Sequence, residues 1–245
     1  MVFIGALFIC TVAFAQTINV NWKIDDTTYA TNTCEYGGTL TVPTPPTKYG
    51  YTFQGWDAGY VELAYIESTG TQYIDTGVYP NSNTRIKTKF INKNPSTAAK
   101  VYFGVKNINS DLFQHFTINQ NLMFEYGSQQ ITGITVSSGD ILEYDWNKNT
   151  VTYSINNIKQ SDIVFTPQNF SSSLSMFFFS RNTPNNYGAS MMVYYLQIYD
   201  NDVLVRDFIP VLDSSGIPYM YDKVEEKFYY NAGTGDFIAG PVVSE

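Results

Sequence analysis

Short stretches in which apolar and polar residues alternate run along most of the chain, a pattern typical of β-strands rather than helices. The clearest is residues 190–210, SMMVYYLQIYDNDVLVRDFIP. It predicts two long strands joined at a polar corner, Asp200 to Asp202. Because neither face of the first strand is clearly polar, we expect a second sheet to cover one face and loops or partner strands to cover part of the other. The sequence therefore predicts that 190–200 is a central strand of a β-sandwich.

From residue 62 onward, β-like runs and turn-forming clusters follow one another at intervals of about ten residues, with no helical periodicity. This spacing predicts an all-β fold, specifically a two-sheet antiparallel jelly-roll sandwich. The predicted strands are 62–67, 72–76, 83–91, 100–106, 111–118, 121–126, 130–136, 140–147, 150–156, 159–165, 174–180, 190–200 and 203–210. Asparagine-rich breakers separate them, among them Asn119-Gln120 and Asn156-Asn157.

The composition supports a β-rich extracellular protein. The chain has 20 Tyr and 17 Phe, and only 15% of its residues are charged, a balance that disfavours long helices. Its net charge is −8 and it has no basic stripe for a phosphate backbone, so we expect no nucleic-acid partner.

The N-terminus carries an export signal. Residues 1–15 are apolar and end in Ala13-Phe14-Ala15, a small-x-small cleavage pattern, so they are predicted to be a secretory signal peptide. They are too few for a membrane span, and we expect no transmembrane segment in the mature chain. Removal of the peptide would leave Cys34 without a second cysteine, which excludes an internal disulfide.

Residues 17–57 form a smaller predicted unit. A first strand around Val20 and Trp22 is followed by a polar stretch, a second strand ending at Val42, and a proline-rich segment that closes with GYTFQGW. This order resembles the internalin-type B-repeat, also called the Listeria-Bacteroides repeat. The resemblance implies a small β-grasp-like spacer domain, present once, and a short linker at 57–61 would join it to the larger unit.

Motifs at both ends of the larger unit resemble the concanavalin A-like, laminin-G-type domains of surface proteins from gut bacteria. They are LAYIESTGTQYIDTGVYPN, the hairpin described above, and GIPYMYDKVEEKFYYNAGTGDF. The resemblance covers residues 62–241 and assigns 62–245 to one sandwich domain. It implies a recognition or adhesion protein that is secreted or displayed on a bacterial cell surface.

Two loops combine the groups that a glycan site needs, an aromatic ring to stack on a sugar and polar groups to bind its hydroxyls. The loops are 106–111 and 181–188, and the candidate ligand-binding residues are Asn107, Asn109, Arg181, Asn182, Asn185, Asn186 and Tyr187. They follow similar strands, VYFGV and SMFFFS, and would share one rim if those strands are neighbours. The alternative interpretation is a pair of ordinary polar loops with turn-forming asparagines.

Calcium is the one cofactor worth considering. The laminin-G resemblance implies a calcium site at a loop rim, built from carboxylates and backbone oxygens. The loop-proximal candidates are Asp75, Asp111, Asp213 and Asp222. No run has the spacing of a dedicated calcium loop, so solvated or capping aspartates are the alternative.

Catalysis is not expected. A retaining glucanase of this fold class needs carboxylates about 5 to 5.5 Å apart, which an E-x-D-x-x-E strand provides. The best match is Glu143 and Asp145, but Lys148 occupies the third position and both acids are predicted to lie on a solvated face. His115 is predicted to lie on a strand surface, without a nucleophile motif or a metal-binding cluster around it.

Three functions are therefore open at this stage. The first is a glycan-binding recognition or adhesion protein that uses the loops of the sandwich. The second is a structural or protein-protein interaction module of an envelope assembly, whose partner would be a host or cell-surface protein. The third and least favoured is a glycoside hydrolase. Fold alone does not decide among them, because one sandwich scaffold supports many functions.

Overall fold

The computed structural model describes residues 6–7, 17–24, 27–35, 41–53, 60–106, 112–182, 187–213 and 215–243. Every regular element in these ranges is a β-strand, so the predicted all-β class is confirmed. These residues include no helix with the length and hydropathy needed to cross a bilayer.

Residues 6–35 contribute β1 (Ala6–Leu7), β2 (Thr17–Ile24) and β3 (Thr27–Glu35). The strands of the larger unit are β4 (Val61–Glu62), β5 (Ile66–Thr69), β6 (Ile74–Asp75), β7 (Thr84–Asn92), β8 (Lys100–Lys106), β9 (Leu112–Ile118), β10 (Asn121–Gly127), β11 (Gln129–Thr135), β12 (Ile141–Asn147), β13 (Thr150–Ile155), β14 (Ile158–Lys159), β15 (Ile163–Val164), β16 (Phe177–Phe178), β17 (Ser190–Asp200), β18 (Val203–Leu212), β19 (Pro218–Asp222), β20 (Lys227–Tyr229) and β21 (Ile238–Ala239).

Two antiparallel sheets make up the larger unit. The six-stranded sheet has the order β11-β10-β9-β8-β16-β6. The twelve-stranded sheet has the order β14-β13-β12-β7-β17-β18-β19-β20, with β15 beside β13, β5 beside β17, β21 beside β5 and β4 beside β18. The predicted central strand, β17, is confirmed, because it is hydrogen-bonded to β7 on one side and to β18 and β5 on the other.

The hydrophobic core lies between the two sheets. Strict alternation in β12 buries Leu142, Tyr144 and Trp146 and turns the residues between them outward. Phe113 of the six-stranded sheet stacks on Trp146 of the larger sheet with ring centroids 4.5 Å apart. Phe90 and Phe124 belong to the same buried cluster. This aromatic interior accounts for much of the Tyr and Phe content of the chain.

The predicted asparagine turns are confirmed by backbone conformation. Asn119 and Gln120 have φ of 50° and 64°, and Asn156 and Asn157 have φ of 53° and 64°. At the corner between β17 and β18, Asn201 and Asp202 have φ of 48° and 66°. Two successive residues with positive φ match the right-handed twist of the flanking strands, so these residues close tight hairpins.

The N-terminal segment forms a three-stranded sheet, β1-β2-β3. The first predicted strand is confirmed. A further strand lies at Thr27–Glu35, in the stretch predicted to be polar. The second predicted strand, which ends at Val42, lies mostly outside the described residues, and residues 41–53 form no strand. Threonine is a good strand former when its hydroxyl is paired, and Thr31 and Thr33 donate to Asn21 and Asn19 at 2.7 and 3.1 Å.

Candidate functional site

The outer face of the six-stranded sheet, which points away from the core, carries an unusual group of polar side chains. Along β9, Phe113 and His115 face the core, and the residues between and beyond them, Gln114 and Phe116, face outward. Five residues form what we call the outer polar cluster, and they are Lys106, Gln114, Glu125, Arg181 and Tyr187.

Gln114 and Glu125 are the buried centre of this cluster. They lie directly opposite each other on β9 and β10. The Gln114 side-chain amide donates a hydrogen bond to the Glu125 carboxylate. The other carboxylate oxygen lies 3.8 Å from Lys106 Nζ. Gln114 is fully buried and Glu125 is 4% exposed, so these contacts compensate the loss of hydration that burial imposes on both groups.

Gly104 makes room for Gln114. The two residues are register partners on β8 and β9. A Cβ added to Gly104 would lie 2.2 Å from Gln114 Cβ, and the φ of Gly104 is +148°. Only glycine fits both the backbone conformation and the close approach, so the sequence VYFGV sets the position of the Gln114 side chain.

A chain reversal brings Arg181 to the sheet. β16 pairs antiparallel with β8, as expected for neighbouring strands, and Phe179 then adopts φ of 69°. The chain turns back so that Asn182 bridges to Val105. An aromatic residue in the left-handed region costs about 1–2 kcal/mol, a strain located at the entry to the site.

Arg181 links the cluster together. Its guanidinium carbon lies 4.0 Å from the ring centroid of Tyr187, a cation-π contact. Its Nη1 donates to Gln114 Oε1 at 3.3 Å. Burial lowers the pKa of the Arg181 guanidinium, and the nearby Tyr187 hydroxyl and the Glu125 carboxylate act in the opposite direction. Arg181 and Tyr187, both predicted from sequence, therefore meet in one place.

An apolar cluster adjoins these polar groups on the same face. Val101, Phe116 and Met123 are buried there, apart from the core between the sheets. Tyr187 packs against them. The ring of Tyr187 is therefore held from one side by aliphatic and aromatic side chains and contacts Arg181 as well. The outer face therefore brings a buried apolar cluster next to polar groups that contact one another.

The other candidate glycan ligands do not join this cluster. The Asn182 amide donates to the carbonyl oxygen of Ser175 at 2.9 Å and to its hydroxyl at 3.3 Å, so it fixes the loop. Four more candidates lie outside the described residues, and they are Asn107, Asn109, Asn185 and Asn186.

Sequence reasoning missed Gln114 and Glu125. The available signal was one long polar residue within each of two strongly apolar strands, LFQHFTI and NLMFEYG. From the sequence alone, such a residue is expected to lie on a solvent-exposed face, and only the structure shows that it is buried.

The described calcium candidates each hold a turn. Asp75 accepts a hydrogen bond from the N–H of Gly77 at 3.0 Å. Asp213 accepts from two N–H groups of its own loop at 2.8 and 2.9 Å. Asp222 is fully buried, accepts from the N–H of Asp207 at 2.7 Å, and lies 3.6 Å from Arg206.

Aspartates that cap turns accept hydrogen bonds from backbone N–H groups in this way. The contacts therefore agree with the alternative interpretation given from the sequence. In the ranges that the structure describes, His, Cys, Asp and Glu form no group of three or more that could hold a metal ion. Asp111 lies outside these ranges.

The carboxylates considered for glycoside hydrolysis lie on the outer face of the larger sheet, as predicted. Arg85 Nη2 contacts Asp145 at 2.6 Å, and Lys89 contacts Glu143 at 3.5 Å. Tyr195 also donates to Glu143 at 3.3 Å. Both acids are therefore paired with cations of the neighbouring strand β7.

The prediction for His115 is wrong. The residue is fully buried between the sheets, stacked on Phe124 with ring centroids 4.2 Å apart. Its Nδ1–H donates to the Met123 carbonyl at 3.0 Å. Burial lowers the pKa of His115 to about 3, so the ring is neutral at physiological pH. Its strand neighbours Gln114 and Phe116 occupy the outer face, so the pleat turns His115 inward.

Comparisons with known proteins leave the family open. No protein-family model matches this chain, and no curated protein matches it. Among solved structures, it is similar to the native heptameric SAP-like pentraxin from Limulus polyphemus, with 10% sequence identity and a TM-score of 0.38. The match covers 57% of this chain and 74% of the pentraxin chain. The resemblances to laminin-G-type domains and to B-repeats stay predictions.

Proposed function

We propose that this chain is an exported, non-catalytic recognition protein that binds glycan at the outer polar cluster. The observation that carries the proposal is the meeting of Arg181 and Tyr187 with the buried Gln114–Glu125 pair on one sheet face. A cation and an aromatic ring are the groups that sequence reasoning selected for a sugar site. The buried amide of Gln114 also donates to the Glu125 carboxylate and accepts from Arg181, which fixes the position of the cation.

The rigidity of the cluster supports a binding role. Gln114 is in close contact with Gly104 of β8 and is hydrogen-bonded to Glu125 of β10 and to Arg181. Polar groups that are already oriented lose little conformational entropy when a ligand binds. Lys106 and Tyr187 are only partly buried, so a ligand can reach the cluster from that side.

Export and a bacterial cell-surface location belong to the same proposal. They are supported by the signal-peptide pattern of residues 1–15 and by the B-repeat resemblance of 17–57. In this proposal the sandwich domain presents its site outside the cell for recognition or adhesion.

A glycan array with the purified full chain, run with calcium and again with chelator, tests the proposal. We expect selective binding that falls at least about tenfold in the double variant Arg181→Ala, Tyr187→Ala. The matched control is the double variant Arg85→Ala, Tyr199→Ala. It removes another arginine-tyrosine stack on the outer face of the larger sheet, in which the guanidinium carbon lies 5.3 Å from the ring centroid. A blank array from folded protein, or equal losses in both variants, would overturn the proposal.

A second candidate function, a protein-protein interaction module, is favoured by an aromatic patch on β19 and β20. Tyr219 and Tyr230 contact each other with ring centroids 4.5 Å apart, and Phe228 lies 5.2 Å from Tyr221. Tyr230 is 58% exposed. Aromatic residues are enriched at protein interfaces. Two results together would favour this function. The first is a glycan array without binding. The second is a sedimentation coefficient that depends on protein concentration in the unsubstituted chain and does not in Tyr230→Ser.

A further inference from the structure

The Arg181 guanidinium has one nitrogen without an acceptor, Nε, which belongs to its Nε–Nη2 edge. Its Nη1 is used by Gln114. Its Nε is buried and finds no hydrogen-bond acceptor among the described residues. Arg181 also takes part in none of the ion pairs that these residues form. A buried donor left without an acceptor is unfavourable, the more so for a charged group, so an acceptor is expected from elsewhere.

In Arg85, by contrast, the same Nε–Nη2 edge of the guanidinium has hydrogen-bond acceptors. Like Arg181, it lies over a tyrosine ring, that of Tyr199. Its Nε and Nη2 donate to the two oxygens of Asp145 at 2.7 and 2.6 Å, a side-on bidentate pair. Arg206 is also paired, with Glu225 at 2.7 Å from Nη1 and Asp222 at 3.6 Å from Nε. Arg181 also lies over a tyrosine ring, but no carboxylate of the described residues pairs with its guanidinium.

Glu125 does not fill this role. One of its oxygens accepts from Gln114, and the other faces Lys106 at 3.8 Å. Glu125 therefore pairs with Lys106. Its charge also raises the pKa of Arg181, but the half-buried guanidinium forms no ion pair with a carboxylate of the described residues, although the chain as a whole carries a net charge of −8.

We infer that the sugar bound at the outer polar cluster carries a carboxylate, as a uronic acid does, and that this carboxylate binds the Nε and Nη2 edge of Arg181. This inference rests on the proposed glycan-binding function. The planar guanidinium fork matches a carboxylate with two parallel hydrogen bonds, and desolvation strengthens such a pair. Lys106 lies within the same cluster and can donate to a neighbouring hydroxyl of the sugar.

A matched oligosaccharide array tests the inference with the full chain. It displays oligomers of galacturonate, glucuronate and mannuronate, each beside its carboxyl-reduced, neutral counterpart. We expect at least one acidic oligomer to bind at least about tenfold more tightly than its neutral counterpart, measured by calorimetry. Arg181→Gln should abolish this preference, and Arg181→Lys, which keeps the charge but loses the fork, should remove most of it. Arg85→Gln, with the same loss of charge, should keep it.

Each contrary outcome has a distinct meaning. Equal binding of acidic and neutral oligomers, or binding of neutral glycans alone, would overturn the inference while glycan binding stands. A preference for acid that survives Arg181→Gln would place the carboxylate at another residue and also overturn it. A folded protein that binds no glycan of any kind would overturn the proposed function itself.

Discussion

At the scale of single residues, His115 lies in an environment far from its ordinary one. Its pKa is lowered from 6.5 to about 3 because the ring is buried among aromatic side chains. In the unfolded chain the ring binds a proton near pH 6.5, and in the folded chain it does not until about pH 3. The unfolded state therefore binds more protons between these values, and stability falls as the pH falls through this range.

We expect the free energy of unfolding to drop by about 2 kcal/mol between pH 7 and pH 5 because of His115 alone. His115→Asn keeps a side-chain N–H for the Met123 carbonyl and removes the titration. Its free energy of unfolding, from urea titrations at pH 7, 6 and 5, should vary less with pH than that of the unsubstituted chain. Parallel pH profiles for the two proteins would contradict the burial of an uncharged ring.

Gly104 is the residue on which the geometry of the site depends most. Gly104→Ala would force its Cβ against Gln114, so we expect a loss of about 2–4 kcal/mol in the free energy of unfolding. Glycan binding should fall with it, because Gln114 would leave its place beside Glu125. Gly139→Ala is the control, since its φ of +93° is strained but no atom lies within 4 Å of the added Cβ. Its cost should be about 1–2 kcal/mol with binding intact.

At the scale of elements, β17 holds the larger sheet together. Leu196 is fully buried there, with β7 and β18 as neighbours on either side. We expect Leu196→Ala to cost about 2–5 kcal/mol of unfolding free energy. Val203, at the start of β18, is 62% exposed, so Val203→Ala should change the free energy of unfolding by no more than about 0.5 kcal/mol. Similar urea midpoints for both variants would show that β17 is not central.

The bounds of a strand could be predicted where a long apolar or alternating run has hydrogen-bonded partners. β8, a continuous apolar run, and β17, an alternating one, have the predicted bounds, 100–106 and 190–200. By contrast, predicted strand 174–180 is ladder-paired only at Phe177–Phe178, and 159–165 is split between β14 and β15. Local periodicity reports which side chains alternate, but the extent of a strand also depends on how far its neighbour continues.

The site could be predicted only in part for the same reason. Arg181 and Tyr187 were accessible to sequence reasoning because loop residues with aromatic and cationic chemistry stand out locally. Gln114 and Glu125 join them only through the pairing of β8, β9 and β10 and the return of the chain past Phe179. These contacts join residues that are far apart in the sequence. From the sequence alone, the amide and the carboxylate are therefore indistinguishable from ordinary strand residues.

At the scale of the whole molecule, the two outer faces of the sandwich differ in how they hold charge. On the larger sheet, carboxylates and cations pair across strands, as Arg85 does with Asp145 and Lys89 with Glu143. On the six-stranded sheet, Glu125 is buried and Arg181 lacks an acid partner among the described residues. Because the charges of the first face are already paired with one another, we propose that the ligand binds on the six-stranded sheet.

Amide chemical-shift mapping tests this placement most directly. The ¹⁵N-labelled full chain would be titrated with the oligosaccharide that gives the strongest array signal. We predict shifts that are concentrated around Lys106, Gln114, Glu125 and Tyr187, and that are lost in Arg181→Gln. Shifts centred on Glu143 and Asp145 of the opposite face, or on the aromatic patch near Tyr230, would contradict the account.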